Sequence, residues 1–291
     1  MFQKNKLVKE FLEEYSSVLP SISRQFNKNV SKIKWKNLEN IYLYHSEQLS
    51  TLESIAFLYV KRLQNFRSVH AVKYRIKSSD SLIKKIIFKI ITKKVSSGIN
   101  FKNYQTCILD IIGIRAIYLY QYEWKDIHEQ IDKTWRIMGR PELHGYETDL
   151  ISSFKPFKFK PHRDGYRSIH YTLKFSEKLT SFFIELQTRT MFDDAWSEIN
   201  HKTSYKLKSS TELEFYMQTF NYASRLADEM GTFSGKVKDL LISPNMFSRN
   251  PRSFNKIFLP HISRIRKLKI ALVKNLDGVS SDFIFKSQKN N

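Results

Sequence analysis

The chain has 291 residues, with 49 Lys and Arg against 28 Asp and Glu, a formal charge of +21. At 41% hydrophobic and 14% aromatic it carries enough apolar material for a sizeable core, which excludes a disordered basic tail. No apolar run reaches the roughly 20 residues of a membrane span, and a single cysteine excludes a disulfide framework or a Cys-based zinc site.

Glu10, Glu13 and Glu14 fall where a signal peptide would have its apolar core. The amino-terminal segment therefore reads as part of the folded protein, the expected compartment is the cytoplasm, and no membrane partner is expected. The charge surplus points to a polyanion: nucleic acid, a membrane surface or highly phosphorylated small molecules.

Leu7, Phe11, Leu12 and Tyr15, then Leu38, Ile41, Leu49, Leu52, Ile55, Leu58 and Leu63, recur at helical spacing. They predict two helices separated by a basic connector from Asn27 to Lys36. From His70 the pattern predicts a strand over 72–78, a helix over 81–94, a strand over 108–120 and a helix over 124–138. Strands follow at 166–175 and 181–188, then a helix from Arg189 to Lys208 and a long helix over 212–241. This interleaving predicts an α+β fold, a mixed β-sheet flanked by helices, with helical N- and C-terminal extensions. Residues 244–291 hold ten Lys and Arg against two Asp, and Ile262, Ile265, Leu268 and Ala271 predict a basic amphipathic helix there. The expected organisation is an extension over 1–69, a core over 70–208, a long helix over 209–243 and a basic tail over 244–291.

In FFIELQTRT, strand alternation puts Glu185, Gln187 and Arg189 on one face. That row is either the solvent face of an edge strand or a chemically active one. In MFDDAWSEINHKTSYK, Asp194, Glu198, His201 and Tyr205 form a polar helical stripe, with Ala195, Trp196, Ile199 and Thr203 expected to pack as core beside it. HRDGYRSIHY predicts an exposed Tyr166 after a Gly turn, a platform for a planar base, with Ser168 and His170 on its face. Asp110 lies amid apolar neighbours, where an ionised carboxylate needs a partner. Arg115 could serve if a bulge at Gly113 re-aims one of the two, and Mg²⁺ is the alternative. In YRIKSSDSLIKK, Arg75 and Lys77 share a face before a helix capped by Asp80 or Ser81, with Lys84 and Lys85 in its first turns; this suits phosphate.

Taken in order, R-x-K-x-x-D-S, D-I-x-G-x-R, GYRSIHY and E-x-Q-x-R-T followed by AW-x-EI-x-HK-x-x-YK resemble the synthetase domain of the RelA/SpoT family, of the stand-alone small alarmone synthetase type, over His70 to Lys208. The resemblance implies a nucleotidyltransferase-like core that moves the β,γ-pyrophosphate of ATP onto the 3′-hydroxyl of GDP or GTP and releases AMP, with Mg²⁺ as cofactor. It implies that Arg75 and Arg115 sandwich the adenine, that Lys77, Ser81 and Lys85 hold the ATP phosphates, and that Asp110 and Glu185 hold Mg²⁺. Glu185, with Gln187, would take or orient the proton of the attacking hydroxyl. On the acceptor side Tyr166 would stack on the base, Arg167 and His170 would lie near the phosphates, and Asp194 would contact guanine, with Arg189 and His201 nearby.

The insertion ISSFKPFKFKPHRD departs from the family pattern. Its alternation of basic and aromatic residues around 155–163, with the basic tail 244–291, suits a nucleic acid. Some toxic relatives place pyrophosphate on the 3′ end of tRNA, so tRNA is the alternative acceptor. None of the eight histidines adjoins an aspartate, so the metal-dependent hydrolase half of long family members is expected to be absent. The oligomeric state stays open.

Overall fold

The computed structural model describes residues 2–16, 19–92, 98–145, 156–162, 166–177, 180–206, 211–242 and 251–289. Its centre is a six-stranded sheet of β1 (Ala71–Ile76), β2 (Ile112–Tyr118), β3 (Glu142–Gly145), β4 (Lys158–Pro161), β5 (Ser168–Glu177) and β6 (Thr180–Thr190), in the order β1-β2-β6-β5-β3-β4. The sheet is mixed: β2 runs parallel to β6 and β3 parallel to β4, while the other pairs are antiparallel. An α+β fold with a mixed, helix-flanked sheet is what the sequence predicts.

One face of the sheet is apolar because the strand sequences alternate. Ile114 of β2 pairs with Leu186 of β6, and Leu186 with Tyr171 of β5; all three are buried. Helices α3 (Trp35–Gln64) and α4 (Ser79–Ile91) lie near this face, with Tyr74 donating to Glu53 of α3 at 3.2 Å. Helix α4 buries Leu82, Ile83, Ile86, Ile87 and Ile91, a single apolar stripe. Its N-cap is Ser78, whose hydroxyl accepts from the Ser81 N–H, so neither Asp80 nor Ser81 is the cap.

The amino-terminal extension has three helices where two were expected. After α1 (Lys4–Ser16), α2 (Ile22–Asn29) and a single 3-10 turn (Val30–Lys32) occupy much of the anticipated connector. Ile22 and Phe26 are buried, and Phe26 packs on Phe11 of α1, which gives the segment an apolar anchor despite its basic residues. Leu58, counted in the helical pattern, is 65% exposed. Strands β3 and β4 span four residues each, too short to show a periodicity, and β4 lies inside the basic insertion.

A short helix, α5 (Tyr104–Cys107), precedes β2, and α6 (Trp124–Thr134) follows it. After β6, the chain forms α7 (Met191–Lys206), α8 (Thr211–Ile242) and α9 (Pro251–Lys289), the last being the helix expected in the basic tail. No helix among the described residues is long and apolar enough to cross a membrane.

Helix α8 docks on the core through Asp228, Ser224 and Thr232. Ser224 Oγ donates to the Phe192 carbonyl at 2.9 Å, and Thr232 Oγ1 accepts from the Gln121 N–H at 3.1 Å. Asp228 accepts from Arg167 at 3.3 Å, and Arg167 also donates to Asp193 at 2.7 Å. Burial raises the Asp228 carboxyl from 3.8 to about 7 against the pull of Arg167, with Asp193 adding to the rise. An acid that holds its proton more tightly when folded stabilises the fold at low pH and loses that contribution as pH rises through its folded value. Urea unfolding should therefore show the advantage of Asp228→Asn over the wild type growing from pH 3.8 to about 7; a gap that stays constant or narrows would contradict this.

Candidate active site

The opposite sheet face is polar, and the register aligns its residues across five strands. One row runs Lys73, Arg115, Gln187, His170, Glu142 and the next Arg75, Gly113, Glu185, Thr172. A cleft of about 340 Å³ opens over these rows, lined by Lys73, Arg75, Arg115, Glu185 and Gln187 and walled by Ser197, Glu198 and His201 of α7. The absence of a side chain at Gly113 matters here, because a Cβ would meet Arg75 Nε at 3.3 Å. The arginine lies across the glycine and into the cleft.

Beyond one end of the cleft sits Asp110, buried in the turn before β2. It pairs with Lys85 at 2.6 Å and Lys77 at 3.0 Å, with Arg75 at 4.0 Å. Burial pushes its carboxyl up, but Lys85 and Lys77 together outweigh it and hold the group below its ordinary 3.8. Lys77 fares differently. Its burial outweighs the attraction of Asp110, and Lys85 adds repulsion, so its ammonium is held below the usual lysine value. A further anion arriving here would relieve that deficit. Asp110 Oδ1 is buried with no hydrogen-bond partner among the described residues. Ser81 is exposed in the first turn of α4 nearby, whereas Lys84 turns away to Glu14 of α1 at 2.7 Å.

Arg115 is not the partner of Asp110, and β2 carries no bulge at Gly113: the register with β1 is continuous from Ile76–Ile112 to Ala71–Ile117. Asp110 precedes the strand, so strand parity does not govern its direction.

From Glu185 and Gln187 in the cleft the polar side chains close into a circuit through Arg189, Tyr166 and His170. Gln187 Nε2 donates to Glu185 at 2.9 Å, and Arg189 donates to Gln187 and, at 2.9 Å, to the Tyr166 hydroxyl. Tyr166 pairs with His170 Nε2 at 2.9 Å, and His170 Nδ1 lies 3.6 Å from Glu185. Burial raises the Glu185 carboxyl, but its interaction with His170 outweighs this and holds it below the usual range, hence ionised at neutral pH. Tyr166 is not the exposed platform expected. It is half-buried, edge-on to His144 and His170, with the Arg189 guanidinium 5.1 Å from its ring centre. His144 is pushed down to about 4 by burial and by His170 and His162, so it adds no charge of its own there at neutral pH.

Asp194 is enclosed, accepting from Lys73 at 2.6 Å, with Arg115 at 3.4 Å and Arg189 at 3.8 Å. Arg115 also donates to Glu198, whose carboxyl it lowers by that hydrogen bond. Asp194 therefore ties three strands to α7. Arg167 does not join the cleft; Asp193 and Asp228 hold it in the interior. Its place one residue out of step with Tyr166, Ser168 and His170 signals this. His201 reaches the cleft and is exposed. Of the residues expected as core on α7, Trp196 is buried, but Ala195 and Ile199 are exposed, because α7 covers only the sheet's polar end. Sequence reasoning missed Lys73, although Lys73, Arg75 and Lys77 alternate visibly, and missed Glu142 and His144 on the unanticipated β3.

Residues 74–210 match the family model described as "Region found in RelA / SpoT proteins". The chain is 27% identical over 182 residues to GTP pyrophosphokinase YwaC of Bacillus subtilis (strain 168), covering 60% of this chain and 77% of that one. A GTP pyrophosphokinase family protein from Streptococcus pneumoniae is similar over 72% of this chain and 95% of its own, at 20% identity and a TM-score of 0.47. Small alarmone synthetase 1 from Bacillus subtilis, solved with its product pppGpp, is similar over 70% and 98%, at 21% identity and a TM-score of 0.44.

Replacing a buried carboxylate that neutralises several cations removes their compensation. Asp194→Asn should lower the unfolding free energy of the ligand-free protein by about 3 kcal/mol, read by urea denaturation. A residue serving only to contact a ligand would leave that stability unchanged.

Proposed function

We propose, from the premise that residues 74–210 of this chain are a RelA/SpoT domain, that it is an ATP-dependent pyrophosphokinase making (p)ppGpp. It transfers the β,γ-pyrophosphate of ATP to the 3′-hydroxyl of GDP or GTP. The observation that carries this reading is the arrangement of the polar sheet side. A lysine cluster around Asp110 and an ionised Glu185 flank one arginine-lined cleft. The name of the Bacillus subtilis relative, a GTP pyrophosphokinase, supports the same reaction class.

In this reading Arg75 and Arg115 flank the adenine, while Lys77, Lys85, Ser81 and the amino end of α4 take the phosphates. The 3′-oxygen of the acceptor attacks the β-phosphorus, the bond from that phosphorus to the α-bridging oxygen breaks, and AMP leaves. The hydroxyl proton passes to Glu185, which Gln187 and His170 hold in position. The acceptor lies toward Tyr166, His170, Arg189 and His201, and Asp194 braces that side by neutralising its cations.

Asp110 and Glu185 fit a Mg²⁺ ion. Asp110 presents a buried oxygen with no hydrogen-bond partner among the described residues, and its charge acts on Glu185 to raise it. Two carboxylates suit a cation that takes its other ligands from water and phosphate. When bound, the ion neutralises charge on the transferred phosphates. The chain is read as a synthetase without hydrolase activity, working in the cytoplasm.

A second reading, transfer to the 3′ end of tRNA, draws on strand β4. Lys158 is exposed and Lys160 half-buried at the sheet edge, and Lys158 pairs in register with Glu142, which faces His170. A basic edge beside the acceptor side suits a long polyanion more than a free nucleotide.

Incubation with Mg²⁺ and ATP labelled in its γ phosphate, with GDP, GTP, ATP or tRNA offered as acceptor, tests both. Label should appear in guanosine nucleotide, and Glu185→Gln should lower the rate by about 100-fold or more; no transfer to any acceptor overturns both readings. Replacing Lys158 and Lys160 with alanine should leave transfer to GDP intact, and the tRNA reading requires a selective loss on tRNA.

A further inference from the structure

The turn between β1 and α4 carries Lys77 and the amino end of α4, and both backbone groups of Lys77 are held. Its N–H donates to the Ile111 carbonyl at 2.9 Å, next to Asp110. Its carbonyl lies 2.7 Å from Nε2 of His45, on α3. A carbonyl only accepts, so Nε2 carries the hydrogen and the ring is that tautomer. His45 is fully buried, its ring edge-on to Tyr104, and burial holds the imidazole below its ordinary 6.5. The next residue, Ser46, pairs through its hydroxyl with that of Ser79 at 2.7 Å. Two successive residues of α3 thus grip the turn on either side of its N-cap, Ser78.

A buried imidazole is costly unless hydrogen-bonded, and a packing role alone would be served by an apolar side chain. We propose that His45, which lies outside the RelA/SpoT domain, is a positioning residue for the ATP phosphate site. Through the Lys77 carbonyl it fixes the turn that aims Lys77 and the α4 amino end at the ligand. The inference rests on the function read above. It makes α3 part of the nucleotide site, although no side chain of α3 need touch ATP.

Calorimetric titration of a non-hydrolysable ATP analogue and, separately, of GDP tests it without requiring turnover. His45→Phe should weaken analogue binding about tenfold, the cost of leaving a buried carbonyl unpaired, with GDP binding unchanged. His45→Gln, whose amide donates over a similar reach, should restore most of the affinity. Should His45→Phe fail to fold, Ser46→Ala carries the test, with an expected loss of about threefold for the analogue alone. Unchanged analogue binding in the variants, or equal losses for both ligands, overturns the inference while leaving the function reading intact. A wild-type protein that binds no ATP analogue overturns that reading, and the inference with it.

Discussion

Burying an ionised carboxylate is tolerated only where cations reach it, and on the polar side of this sheet the cations come from different elements. Asp194 draws Lys73 from β1, Arg115 from β2 and Arg189 from β6, so one side chain of α7 gathers three strands. Asp110 does the same at the other end, joining the turn after β1 through Lys77 and α4 through Lys85 to the entrance of β2. The cleft lies between these two anchors. The Arg115–Glu198 contact at its wall is different: the Glu198 side chain is 40% exposed, so solvent screens the pair and it costs least to exchange for an incoming ligand.

The charge surplus divides along the same lines. Lysines and arginines of the cleft and of the Asp110 cluster answer to the buried carboxylates Asp194 and Asp110. On α9, Arg264 reaches buried Glu229 at 3.7 Å, while Arg266, Lys267, Lys269 and Lys274 follow it closely in sequence. Net charge by itself does not separate cations that neutralise an interior from cations on the surface, because it sums both.

Much of the site was legible from spacing. Glu185, Gln187 and Arg189 share a face because strand side chains repeat every second residue, and Asp194, Glu198 and His201 share one because a helix repeats near every third or fourth. The α4 apolar stripe and the helix in the basic tail follow from the same periodicities. What escaped were contacts between elements far apart in sequence: the Lys77 and Lys85 partners of Asp110, the Lys73 partner of Asp194, and the reach of His45 to a carbonyl. Strand β4 escaped for another reason, since four residues carry too little pattern.

The sequence by itself determined an α+β chain, rows of chemically capable residues sharing one face of the strands it predicted, and a family resemblance strong enough to name a reaction class. Tertiary structure decided which cation neutralises which carboxylate, that Tyr166 lies half-buried against Arg189, and that Arg167 turns inward to Asp193 and Asp228. Periodicity constrains directions within an element, whereas charge pairing depends on the order and register in which elements meet, and that is set by burying the apolar face of the whole sheet at once.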